Sequence, residues 1–231
     1  MTVTLITGAN KGLGRETARR LIEVGHTVYV GARDQTRGAA AAEELGAKFV
    51  QIDVTDDESV AAAAQTIRDQ AGRLDVLVNN AGIWDGRIGV EGLTGATALA
   101  EFDTNAISVV RTIQAFLPLL RSSDNPVVVN VSSGLGSFWA VTNPERGESH
   151  YPTISYSASK AAVSMLTVEY AKALPEIKIN VADPGFTSSD LTGNTAGQTI
   201  AEGAEAIVQL ATIGKDGPTG TFHEATGPLA W

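Results

Sequence analysis

The chain has no cysteine. Disulfide cross-links and thiolate chemistry are therefore excluded. It also lacks an excess of positive charge, since 17 Lys and Arg stand against 26 Asp and Glu, for a net charge of −9. That argues against a nucleic-acid partner, whose phosphates need a basic face. No apolar run approaches the ~18 residues that a membrane span requires. No charged stretch leading into an apolar one opens the chain; Val3-Thr4-Leu5-Ile6 reads as a strand instead. His150 and His223 have no clear task, and no His/carboxylate cluster supports a metal. The expectation is a soluble, cytoplasmic protein with no metal, no membrane partner and no nucleic-acid partner.

What is present is an alternation. The 231 residues are 43% hydrophobic, enough for one large α/β domain over 1–231. Short apolar runs rich in β-branched residues lie at 3–6, 27–30, 49–53, 74–78, 127–131 and 177–182, with a weak seventh at 219–222. Helical patterns fill the gaps at 12–24, 37–45, 98–120 and 156–173. Another opens at Thr55-Asp56-Asp57-Glu58, an N-cap signal. The pattern predicts a parallel sheet of about seven strands, doubly wound with helices on both faces. Two stretches break the rhythm, 134–153 and 187–197. Both follow strand ends, where open α/β sheets bind ligands, so both are candidate substrate loops.

Thr7-Gly8-Ala9-Asn10-Lys11-Gly12-Leu13-Gly14 joins the first strand to the first helix. Glycines at this junction permit a tight turn and let backbone amides approach a pyrophosphate, at the positive end of the helix dipole. The second strand selects the nucleotide. An NAD site places an acidic residue at that strand's end, for the ribose 2′-OH. Here Ala32 occupies that position and Arg33 follows, a side chain able to fork onto a 2′-phosphate. Arg37 and Lys11 add positive charge nearby, so NADP(H) is expected ahead of NAD(H). Either arginine alone would also suit a solvated surface.

Tyr156-Ser157-Ala158-Ser159-Lys160 places a phenol and an ammonium one helical turn apart. A phenol near pKa 10 is a poor catalyst at neutral pH, and an adjacent ammonium lowers that value. Ser132 and Ser133 end the fifth strand, where one hydroxyl is placed to bond a carbonyl and the other to cap the strand. Asn105 lies in a long helix that does not favour Asn. It reads as a buried polar contact, with a solvated position as the alternative.

Taken together, these residues resemble the short-chain dehydrogenase/reductase family over essentially the whole chain. The match consists of Thr7-Gly8, Gly12 and Gly14, Asp53, Asn79-Asn80-Ala81-Gly82, Asn105, Ser133, Tyr156 with Lys160, and Pro184-Gly185. Asn10-Lys11-Gly12, Ala32-Arg33-Asp34 and Thr36-Arg37-Gly38 are similar to the NADPH-dependent carbonyl reductases. The resemblance implies a Rossmann-type sheet and an assignment of roles. Tyr156 would donate the proton to the carbonyl. Lys160 would lower its pKa and hold the nicotinamide ribose. Ser133 would orient the carbonyl, and Asn105 would hold a water in a proton relay. Gly8, Asn10, Lys11, Gly12, Leu13 and Gly14 would lie against the cofactor. Asp53 and Val54 would meet its adenine, and Asn79, Ala81 and Gly82 its central sugars. Pro184, Gly185 and Thr187 would border the nicotinamide.

The span between Ser133 and Tyr156 is longer than is usual for the family by about ten residues. It adds Phe138, Trp139, Arg146 and His150 near a surface that many members use to dimerise, which leaves homo-oligomer and monomer both open. The expected activity is NADPH-dependent reduction of a ketone or aldehyde, with a small carbonyl or alcohol compound as partner. Trp84, Phe138, Trp139, Tyr151, Phe186 and Leu191 are expected to wall the pocket, Trp139 foremost. Two alternatives stay open. One is a polyol, sugar or 3-oxoacyl-carrier reductase, for which the loops offer only Arg87 and Arg146 as a basic patch. The other is a regulator that binds NADP without turnover.

Overall fold

The computed structural model describes residues 1–84, 89–195 and 197–231. Among them the elements run β1 (Val3–Thr7), α1 (Gly12–Glu23), β2 (Thr27–Ala32), α2 (Gln35–Leu45), β3 (Lys48–Gln51), α3 (Asp57–Ala71) and β4 (Val76–Asn79). There follow α4 (Gly95–Phe102), α5 (Ser108–Leu120), β5 (Val127–Val131), α6 (Phe138–Thr142), α7 (Ile154–Ala173) and β6 (Lys178–Ala182). The chain closes with α8 (Ile200–Gly203), α9 (Glu205–Ala211), β7 (Phe222–Glu224) and β8 (Gly227–Pro228).

The strands form one sheet in the order β3-β2-β1-β4-β5-β6-β7-β8. The first seven are parallel. The eighth, which the seven-strand expectation omits, is a two-residue antiparallel return from β7. The seventh strand also lies later than the 219–222 pattern suggests, because Thr219 and Thr221 are used to bond β6 and its Asn180 instead. The helix pair over 200–211 has no counterpart in the expected elements. Its start is nevertheless a capping box, with Thr199 and Glu202 bonded reciprocally.

Both faces of the sheet are covered. Successive side chains of a strand point to opposite faces, and β1 shows the consequence. Leu5 joins a core with α3, α5 and α7, while Ile6 joins a second core with α1, α2 and α9. Burial on both sides is why the central strands read as continuous apolar runs rather than alternating ones.

The reversal of strand order between β1 and β4 opens a crevice at the carboxyl ends of the strands. Every residue singled out for chemistry follows a strand end or lies on a helix packed there. The 98–120 helical pattern is in fact α4, a π-helical turn at Asp103–Ile107, and α5 in succession. Such a turn within a helix frequently marks a functional position, and Asn105 sits in it.

Candidate active site

The glycine turn is shaped as a cradle. Gly8 has φ +64° and Gly12 φ +55°, the left-handed region that favours glycine. Gly14 serves a different purpose. A Cβ there would stand 2.8 Å from the Gly8 carbonyl oxygen and 2.5 Å from the Asn80 side-chain nitrogen. The turn is braced from β4, since Thr7 Oγ1 accepts hydrogen bonds from the amides of Asn80 and Ala81, both at 3.0 Å. Asn80 Nδ2 in turn donates to the Thr7 carbonyl at 2.8 Å. Asn80 is thus a bracing residue to which the sequence reading assigned no role of its own.

At the end of β2, Asp34 caps α2. Its side chain accepts from the Arg37 amide and pairs with Arg37 Nε, both at 2.9 Å. These bonds hold the Asp34 carboxyl below its usual range. Arg33 is exposed and lies close enough to Asp53 to favour that carboxylate, which Thr55 hydrogen-bonds. Val54 is buried beside it. Lys11 departs from the expected convergence of three cations. Its Nζ pairs with Asp190 at 2.8 Å, because the segment after β6 brings that carboxylate back to the turn.

Asn79 also differs from expectation. Its side chain is consumed inside the molecule, donating to Asn130 Oδ1 and accepting from Thr112 Oγ1, both at 2.8 Å. A buried amide needs such partners, so its side chain is not turned toward the crevice. Gly82 does reach the reacting groups, since a Cβ on it would stand 3.2 Å from Asn105 Oδ1 and 3.5 Å from Lys160 Nζ.

Asn105 is buried and fully engaged. Oδ1 accepts from the Ile83 amide at 2.8 Å, while Nδ2 donates to the Ile83 carbonyl at 2.9 Å and to Ser159 Oγ at 3.0 Å. Its side chain thus pins the segment before Trp84 to α7.

The two serines part company at the end of β5. Ser132 Oγ donates to the Lys160 carbonyl at 3.0 Å and anchors α7. Ser133 accepts from the Leu135 amide and hydrogen-bonds the Tyr156 phenol. Lys160 corrects the expectation about acidity. Its Nζ donates to the Val131 carbonyl at 2.9 Å and lies 5.7 Å from the centroid of the Tyr156 ring. Burial therefore dominates. It pushes the Tyr156 phenol up, with the Asp183 carboxylate adding to the effect and the Ser133 bond opposing it. Burial also pushes the Lys160 ammonium down to about 8, against the pull of Asp183. Burial thus favours the protonated phenol at Tyr156 and weakens the charge on Lys160.

Two cavities meet at this phenol. One of about 300 Å³ runs from Leu13 of the glycine turn past Ser133 and Tyr156 to Pro184–Thr187. The other, of about 800 Å³, extends beneath α4. Both share Trp84, Tyr156 and Leu191 as walls. The Trp84 ring packs 5.6 Å from that of Tyr156, and Tyr151 packs 5.8 Å from Phe186. Trp84, Tyr151, Phe186 and Leu191 therefore all face the cavities. Glu101, 6% exposed, lines the larger one and accepts from Ser155 Oγ.

Phe138 and Trp139 line neither cavity, contrary to expectation. Phe138 is 72% exposed, and Trp139 lies under the Arg146 guanidinium. The physical reason is that the insertion folds around Arg146, which pairs with Glu148 at 2.9 Å and with Glu224 of β7 at 3.0 Å. Arg146→Ala should leave both half-buried carboxylates unpaired. A loss of about 1–3 kcal/mol is expected in urea melts, and unchanged stability would show that the hub does not hold the insertion. Arg87, the other loop cation considered above, lies outside the described residues.

Among the described residues no group of three or more His, Cys, Asp or Glu could hold a metal, and no helix is long and apolar enough to cross a membrane.

A model of the short chain dehydrogenase family matches residues 2–199. "Short-chain dehydrogenase/reductase 1" of Saponaria officinalis is 34% identical, over 95% of this chain and 92% of its own. A (+)-neomenthol dehydrogenase of Capsicum annuum is 29% identical over 94% of each. The structure of an NADPH-bound carbonyl reductase from chicken fatty liver superposes with TM-score 0.87 at 26% identity, covering 100% of both chains. Salutaridine reductase of Papaver somniferum superposes with TM-score 0.85 at 28% identity, covering 96% of this chain and 99% of its own. The chain belongs to the short-chain dehydrogenase/reductase family, a family of nicotinamide-dependent oxidoreductases.

Proposed function

We propose that the protein is an NADPH-dependent carbonyl reductase that converts a ketone or aldehyde to an alcohol. The observation that carries this reading is the apposition of Ser133 and a protonated, buried Tyr156 in a cavity that begins at the glycine turn. The cradle fits a dinucleotide, because the positive φ of Gly8 and Gly12 and the close packing at Gly14 form a tight turn at a helix N-terminus, the kind of junction that binds a pyrophosphate. Gly8, Gly12 and Leu13 would hold the pyrophosphate side, and Pro184, Gly185 and Thr187 would border the nicotinamide. When bound, the nicotinamide supplies or accepts hydride.

The chain's own residues do the rest. Ser133 and Tyr156 both direct hydroxyls at a carbonyl oxygen placed between them, and Tyr156 gives up its proton as charge develops there. Lys160 holds its amino group 5.7 Å from the ring centroid. Trp84, Tyr151, Phe186 and Leu191 favour a hydrophobic or aromatic substrate. An acyl-carrier substrate fits less well, since Arg146 is already neutralised by Glu148 and Glu224.

NADP is favoured over NAD by Arg33 and by the commitment of Asp34 to Arg37. The test is NADPH and NADH oxidation at 340 nm against a panel of ketones, aldehydes and quinones. The expected outcome is turnover led by NADPH. Tight NADPH binding with no turnover of any compound would instead favour the regulator. Arg33→Asp should then erase roughly ten- to hundredfold of the NADPH preference, the worth of one charged hydrogen bond of ~1.5–3 kcal/mol. An unchanged ratio of kcat/KM for the two coenzymes would remove Arg33 from coenzyme choice.

A further inference from the structure

The sheet carries one buried acid that none of the roles above uses. Asp183 follows β6, directly before Pro184-Gly185, and is 3% exposed. Its Oδ1 accepts from the Gly185 amide at 2.9 Å, and the Gly134 amide is a second backbone donor to the carboxyl group. Its own amide donates to the His223 carbonyl of β7 at 2.8 Å. Gly134 is the residue after Ser133, and its turn rests on the carboxylate. A Cβ there would stand 3.0 Å from Asp183 Oδ2 and would also run into Glu148. Asp183 thus touches the turn that carries Ser133 and the turn that opens the Pro184–Thr187 wall, and it lines the cavity between them.

We propose that Asp183 is a positioning residue for carbonyl reduction, fastening the Ser133–Gly134 turn to the Pro184–Gly185 turn so that the serine hydroxyl and the opposite wall stay in register with Tyr156. The two segments end adjacent parallel strands whose last direct bond runs from the Ser132 amide to the Ala182 carbonyl at 2.9 Å, so Ser133–Gly134 and Pro184–Gly185 lie beyond the ladder. A single carboxylate that accepts from both amides supplies that tie. Hydrogen bonds to a charged acceptor are the stronger kind.

The tie is sensitive to protonation. Burial pushes the Asp183 carboxyl up to about 6, with Glu148 and Glu224 adding to the effect and the two amides opposing it. Arg146 of the insertion pairs with both of those glutamates, and the other titratable groups near Asp183 are Tyr156 and Lys160 of α7 and His223 of β7. Above this value the carboxylate accepts both bonds and raises the Tyr156 phenol. Below it the group is neutral, one oxygen becomes a donor, and both effects weaken.

The test compares wild type with Asp183→Asn and Asp183→Ala, using NADPH-dependent ketone reduction across pH and the ¹³Cζ resonance of Tyr156, assigned by Tyr156→Phe. In wild type, a step near pH 6 is expected in both kcat/KM and the Tyr156 resonance. Asp183→Asn keeps one acceptor and removes the charge. It should lose both steps, and its alkaline limb, where Tyr156 gives up its proton, should move to lower pH. Asp183→Ala should lower kcat by roughly ten- to hundredfold, with partial recovery in the Asn variant.

A pH profile and a Tyr156 titration in Asp183→Asn that superimpose on wild type would overturn the proposal, as would full kcat in Asp183→Ala. The kinetic arm rests on the reductase reading. If wild type reduces no carbonyl compound, that reading fails, and the resonance step alone decides for or against Asp183.

Discussion

Tyr156→Phe should reduce kcat for carbonyl reduction by roughly 10²- to 10⁴-fold, the usual contribution of a positioned acid, and leave the NADPH dissociation constant near the wild-type value. The substitution removes one hydroxyl. The ring that packs 5.6 Å from Trp84 remains, as does the surface that faces Lys160 Nζ. Ser133 would still be placed to bond a carbonyl oxygen, which predicts that KM moves much less than kcat. The buried hydroxyl is bonded to Ser133, so stability should change by no more than the ~1 kcal/mol of an ordinary net hydrogen bond. Because the phenol is pushed up in the folded protein, wild-type reduction should persist well into the alkaline range before the acid is lost. Stopped-flow NADPH oxidation with coenzyme titration by fluorescence separates the two constants. Full turnover in the Phe variant would remove Tyr156 from proton transfer.

The legible parts of the molecule share a physical reason. Central strands buried on both faces print as apolar runs, and a backbone that must turn tightly prints glycine, so β1, the Gly8–Gly14 turn and β2 are read almost to the residue. The i, i+4 pair in α7 likewise survives intact. What failed depends on where a side chain finds its partner. Nothing local distinguishes Trp139 under Arg146 from Trp84 against Tyr156. Lys11 looks like a coenzyme cation until the loop with Asp190 folds over it. Lys160 looks like the group that sets the phenol's acidity until burial of the phenol outweighs it. Asn79 sits in a motif that points to the crevice, yet Asn130 and Thr112 draw its amide inward. Asp183 left one signal that went unread, an acid placed directly after the buried strand Lys178–Ala182.

Gly14→Val should weaken NADPH binding by roughly 10²-fold, about 2.8 kcal/mol at 1.4 kcal/mol per decade, and lower stability by about 1–3 kcal/mol through overpacking. The position has no room. A first methyl carbon alone would stand 2.5 Å from Asn80 Nδ2, 2.8 Å from Gly8 O and 2.9 Å from Ala9 Cα. Two of these atoms belong to the turn itself, and the third is on the side chain that braces it from β4. Relief therefore requires the Gly8–Ala9 turn to move away from the start of α1, which changes the shape of the cradle. Gly12 provides the contrast. A Cβ there meets nothing within 4 Å, so Gly12→Ala incurs only the left-handed backbone penalty of about 1–2 kcal/mol. Calorimetric NADPH titration beside urea melts of the two variants distinguishes crowding from backbone strain. Gly14→Ala serves as the milder version if the valine protein fails to fold. Wild-type NADPH affinity in both Gly14 variants would mean that the turn holds its shape without this close approach, and the phosphate cradle would have to be sought elsewhere along the crevice.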